Sequence, residues 1–136
     1  EAGIDDMLKH MDLLVQMLRQ QSPSTKVAIL LPVPPAATQD AFGANYGAGQ
    51  TRWQYKRNQH RLVERMLEKY AGRDAEKIHV VPTYVGLDCL HNYPTESVPA
   101  NVASELKIPR LNNGVHPAAS GYAQIGDMLF AWLKGL

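Results

Sequence analysis

The chain has 136 residues, 45% of them hydrophobic and 20% charged, with a formal net charge of +1; this is the profile of one ordinary folded domain. It has no basic stripe, no acidic tail and no apolar run near the roughly 18 residues of a membrane span, so neither nucleic acid nor a bilayer is an expected partner. Its single cysteine, Cys89, excludes an internal disulfide and a cysteine-based zinc site.

Residues 4–20 read as a helix, because Ile4, Met7, Leu8, Met11, Leu14, Val15 and Leu18 recur with the spacing of one helical face. Ser22-Pro23-Ser24 ends it, since proline cannot continue a helix and disfavours helical geometry in the residue before it. Residues 26–33, KVAILLPV, are apolar without alternation, the pattern of a parallel strand buried on both faces. A buried helix is the alternative, which the short run and flanking prolines disfavour. Residues 34–50 hold prolines and glycines without a period and form a loop at the strand's C-terminal end, where open parallel sheets bind ligands.

A second helix over 51–70 turns Tyr55, Leu62, Val63, Met66, Leu67 and Tyr70 inward, and Ala71-Gly72 closes it. A second strand spans 77–82. Residues 83–115 are irregular and rich in proline. The last helix, 118–134, is expected to bury Tyr122, Ile125, Met128, Leu129, Trp132 and Leu133. This alternation implies right-handed crossovers with helices on both faces: an α/β three-layer sandwich with a mostly parallel sheet. Ile29, Leu31, Val80 and Val81 are expected inside. Two such strands alone would leave apolar edges open. A strand hidden in the loops would close one edge; completion by residues outside this chain is the favoured reading.

The stretch most informative about chemistry is Asn112-Asn113-Gly114-Val115-His116-Pro117, followed by Gly121-Tyr122 in the closing helix. Pro117 suits the start of a helix, so His116 sits on a short fixed loop, as a base on a rigid scaffold should. A histidine in that place is otherwise a structural residue. The stretch resembles the last motif block of the SGNH/GDSL hydrolases, in which Asp-x-x-His-Pro precedes Gly-Tyr and an amphipathic helix. The order of elements over all 136 residues is similar to that family, whose fold is flavodoxin-like in arrangement.

The resemblance implies a carboxylester hydrolase without cofactor or metal, in which His116 is the general base of a serine nucleophile. No serine of this chain has the family's Gly-Asp-Ser context. The nucleophile and the oxyanion hole are therefore expected on a segment N-terminal to Glu1, with 1–136 as the C-terminal part of a single domain. The family's acid position holds Asn113. Three possibilities stay open there: a Ser–His pair with Asn113 orienting the ring, an acid supplied by Asp88 or Glu96, or a degenerate binding module for a ligand such as a carbohydrate. His91 and Tyr93 are candidates to line the substrate pocket, with a plain surface turn at Asn92-Tyr93-Pro94 as the favoured reading. The substrate would be a small-molecule or carbohydrate ester. Trp53, Tyr55 and Arg57 suit a sugar ring, with helix packing beside a solvated charge as the favoured reading. His10 and His60 are expected exposed and His79 is expected as a satisfied core residue. Many members of the family are exported, which makes a secreted or periplasmic location one implication.

Overall fold

The computed structural model describes residues 1–43 and 51–136. Helix α1 spans Ala2–Gln21 and stops at Ser22, whose extended backbone (φ −145°, ψ 91°) is what the following Pro23 requires. Helix α3 (Arg52–Tyr70) begins with a capping box: the Thr51 hydroxyl accepts from the Gln54 N–H, and the Gln54 side chain accepts from the Thr51 N–H. A single turn, α2 (Asp40–Gly43), precedes it. From position 44 to 50 the loop expected over 34–50 lies outside the described residues. Ion pairs join Glu1 to Arg61 and Arg65 (both 2.8 Å), Asp5 to Arg65 (2.8 Å) and Asp12 to Lys69 (2.6 Å). Partners advance together along both helices, so α1 and α3 lie side by side in the same sense, as two crossover helices on one sheet face do.

Strands β1 (Val27–Leu30) and β2 (Ile78–Val81) pair in parallel, with Val27 opposite Ile78 and Leu30 opposite Val81. Val27, Ile29, Leu31 and Ile78 form one core with Leu8 of α1 and Val63, Met66 and Tyr70 of α3. Ile29, Leu31 and Val81 are buried, and Val80 is half-buried. The expectation that β1 is buried on both faces is corrected. Its burial alternates, and Leu30 is 43% exposed. On the second face His79 of β2 meets the Trp132 ring edge-on at 6.0 Å, while Ala28 and Leu30 of β1 stay bare.

The segment 83–115 is not wholly irregular. Strands β3 (Thr95–Pro99) and β4 (Lys107–Leu111) form an antiparallel hairpin with Val98 opposite Ile108. This hairpin is a separate sheet and leaves the parallel edge open. Pro99 and Pro109 disguised it in the sequence; both strands are edge strands, where proline is tolerated. The last helix, α4, spans Ala119–Lys134. Its Tyr122 and Leu133, expected inside, are exposed, as are Leu14 and Leu18 of α1 and Leu67 of α3. The chain is therefore mixed α/β, with a two-stranded parallel sheet and a two-stranded antiparallel one. No described helix is long and apolar enough to cross a membrane.

Candidate functional site

His116 lies between β4 and α4 in a loop tied down on both sides. The Asn113 side-chain oxygen accepts from the backbone N–H of Val115 (3.0 Å) and of His116 (2.8 Å), an Asx turn that satisfies two donors. The Gly114 carbonyl accepts from Ala36 N–H at 3.0 Å. Pro117 is buried immediately before the N-cap, Ala118, whose N–H donates to Asn92 O at 2.9 Å. It thus precedes the helix rather than forming its first turn. Glycine is required twice here. A β-carbon at Gly114 would stand 2.8 Å from the Phe42 ring, and one at Gly121 would stand 2.5 Å from Asn92 O. The result is an exposed imidazole on a rigid support. Among the described residues nothing hydrogen-bonds its ring.

Three loops converge at this place. Ala37 N–H donates to Cys89 O (2.9 Å), and Asn112 N–H to Pro94 O (3.0 Å), so the loop after β1 and the loops after β2 and β4 are joined through main-chain atoms. A second core lies beneath them, built from Ala36, Ala41, Phe42, Leu87, Tyr93 and Leu111. Gln124 of α4 fastens the middle loop from the other side, accepting from Asp88 N–H (2.9 Å) and from the Asn92 side chain (2.6 Å).

The candidate residues divide by place. Asn113 meets the backbone of His116, not its ring. Asp88 is committed to its own loop. One oxygen accepts from Leu90 and His91 N–H (2.9 and 3.0 Å), and the other meets His91 Nδ1 at 2.9 Å. The His91 N–H, then its imidazole and the Leu90 N–H, hold this carboxyl below its ordinary value. Asp88 and His91 thus form an exposed carboxylate–imidazole pair that does not include His116. The spacing Asp88-x-x-His91 was the sequence signal for this pair. Glu96 is exposed on β3 opposite Arg110. Tyr93, considered as a pocket-lining residue, is only 2% exposed, and its hydroxyl donates to Pro34 O. Burial raises its phenol. Tyr93 supports the loop after β1 from below and presents no surface to a ligand. No family model, curated protein or solved structure matches this chain.

Beyond these loops, a cavity of about 900 Å³ opens between the N-terminus of α1 and α3, lined by Ile4, Pro32, Tyr55, Arg57, Gln59 and His60 among others. His116 is not among its walls. The Gln59 amide nitrogen donates to Val33 O, and its buried oxygen has no partner among the described residues. His79, expected as a satisfied core residue, is half satisfied: Nδ1 meets Asp74 at 2.7 Å, while buried Nε2 has no partner among the described residues. His10 and His60 are exposed as expected. Among the described residues no three His, Cys, Asp or Glu side chains gather as metal ligands.

Proposed function

We propose that this chain is the histidine-bearing part of a carboxylester hydrolase of the SGNH/GDSL type. The observation that carries this reading is the His116 imidazole itself: exposed, held on a loop anchored at Asn113, Gly114 and Ala118, and lacking a ring partner among the described residues. A histidine whose ring nitrogens were spent on neighbours could not serve as the general base. One reserved for a reacting hydroxyl would keep them free until that hydroxyl arrives. The serine belongs to a segment N-terminal to Glu1. Its Oγ attacks the ester carbonyl carbon while its proton passes to His116. The tetrahedral intermediate then collapses, and the leaving alkoxide takes that proton from the imidazolium. Water repeats the sequence on the acyl-serine, releasing the acid and restoring the serine.

The same reading completes the fold as a three-layer sandwich. A strand from that segment would pair with the open edge of β1, and its helix would cover Ala28 and Leu30. The exposed Leu14, Met17 and Leu18 of α1 add to the apolar surface awaiting cover. In the full-length protein His116→Ala abolishes hydrolysis of p-nitrophenyl acetate and leaves the melting temperature nearly unchanged. Turnover retained in that variant removes His116 from the chemistry.

One observation favours a second reading, a binding module that keeps the fold without the reaction. Asn113 occupies the acid's position, and its one acceptor oxygen is already spent on two backbone donors. The imidazolium would then form without a carboxylate beside it. Absence of esterase activity in the full-length wild type selects this reading.

A further inference from the structure

The basic residues of α3 fall into two groups. Arg61, Arg65 and Lys69 each meet a carboxylate, at 2.8, 2.8 and 2.6 Å. Arg52, Lys56 and Arg57, in the first two turns, have no carboxylate at ion-pair distance among the described residues. The positive end of a helix dipole disfavours cations. Here the first turn holds no acidic residue, and neutral Gln54 completes the capping box. Trp53 stands among these cations, 67% exposed. The Arg52 guanidinium carbon lies 4.8 Å from the indole centre and Lys56 Nζ lies 5.7 Å from it. Packing accounts for neither the bare indole nor the unpaired cations. Both suit one kind of ligand: a sugar whose apolar face stacks on the indole and whose acidic group takes the cations.

Arg52 also ties this surface to the His116 loop. Its Nε donates to Ala36 O at 2.9 Å, and Ala36 N–H donates to Gly114 O at 3.0 Å, two residues before His116. The charges reach that region. Burial and Asp88 push the Cys89 thiol up, while Arg52 and Lys56 pull against them.

We propose that Trp53, Arg52 and Lys56 form a subsite for an acidic carbohydrate, one bearing a carboxylate or sulfate. As a substrate subsite beside His116 it rests on the hydrolase reading; as a binding surface it does not. Single-stranded nucleic acid uses similar groups, but it is bound along a track of several aromatics in a basic groove. Among the described residues one exposed indole stands beside these cations, on a chain of net charge +1.

The test is titration calorimetry on the full-length protein with tetragalacturonate, a chondroitin sulfate tetrasaccharide, a neutral glucose tetrasaccharide and a short oligothymidylate. None contains a carboxylic ester, so the readout survives failure of the hydrolase reading. At least one acidic sugar binds, and the neutral one binds about tenfold or more weakly. Trp53→Ala and Lys56→Gln each weaken the acidic sugar by about tenfold, and Arg61→Gln, whose cation is paired elsewhere, by less than about twofold. The proposal is overturned if neither acidic sugar binds, if charged and neutral sugars bind alike, if Trp53→Ala and Lys56→Gln both bind as wild type, or if the oligothymidylate binds most tightly.

Discussion

The side chain of Asn113 grips His116 by its main chain, with Oδ1 2.8 Å from the histidine N–H. An aspartate in its place keeps both turn hydrogen bonds with one oxygen and offers the second where the amide nitrogen, a donor, now stands. Once the His116 ring turns toward it, that oxygen can accept from an imidazolium, which a carboxamide N–H cannot. Asn113→Asp therefore raises kcat, by about tenfold, and moves the acidic limb of kcat/KM to higher pH because the added charge favours the protonated ring. Asn113→Ala lowers stability by about 1 kcal/mol, the worth of the lost turn bonds. Steady-state kinetics across pH with an activated acetyl ester is the check; an unchanged kcat in Asn113→Asp sinks the orientation argument.

Gly114 and Phe42 cannot both keep their places if a methyl group is added at 114. Gly114→Ala is expected to cost roughly 1–3 kcal/mol, as overpacking of a filled core does. Adding Phe42→Leu, which makes room, recovers part of that loss. Thermal melts of the two single variants and the double variant decide it. Strict additivity would mean that the two sites do not press on each other.

Asp88 makes the loop at 88–92 sensitive to acid. Its folded pKa is depressed, so its contribution is present above the ordinary carboxylate value and is lost as pH falls through the lower folded one. Asp88→Asn keeps an acceptor for Leu90 and His91 N–H but removes the charge. Wild type should melt higher than this variant near neutrality, and the gap should close below about pH 4. A gap of constant size from pH 7 to pH 2 would contradict the assignment.

Leu30 points from β1 onto a bare face. If the N-terminal segment covers that face, Leu30→Ser lowers the stability of the full-length protein by roughly 2 kcal/mol. In residues 1–136 alone it has little effect on stability and reduces self-association. Denaturant melts of both lengths measure the difference. Equal effects in the two would show that the face stays uncovered.

The helices and the parallel strand pair were legible because each carries a period or an unbroken apolar run. The hairpin was not, since Pro99 and Pro109 read as breaks. The bare side of β1 was not either: a run such as VAILL records what a strand is able to bury, and Leu30 shows that it does not record what is there to cover it. At the site, the His116 loop could be read from Asn113, Gly114 and Pro117. The closing of Asp88 on His91, hinted at only by the Asp-x-x-His spacing, and the interior position of Tyr93 needed three dimensions. They depend on which of two neighbours in LDCLHNYP faces the second core, and no period in that stretch tells them apart.

Ala36 joins Arg52 on one side and Gly114 on the other through its own carbonyl and amide. Such ties are written in spacing rather than in chemistry. Side chains along 34–38 can be exchanged, within the room the core leaves, without breaking one of them. Deleting or inserting a single residue there shifts every main-chain donor out of step with its acceptor and releases the histidine loop and the start of α3 together. For anyone grafting loops onto this scaffold, the residue count between Leu31 and Ala37 is the quantity to preserve.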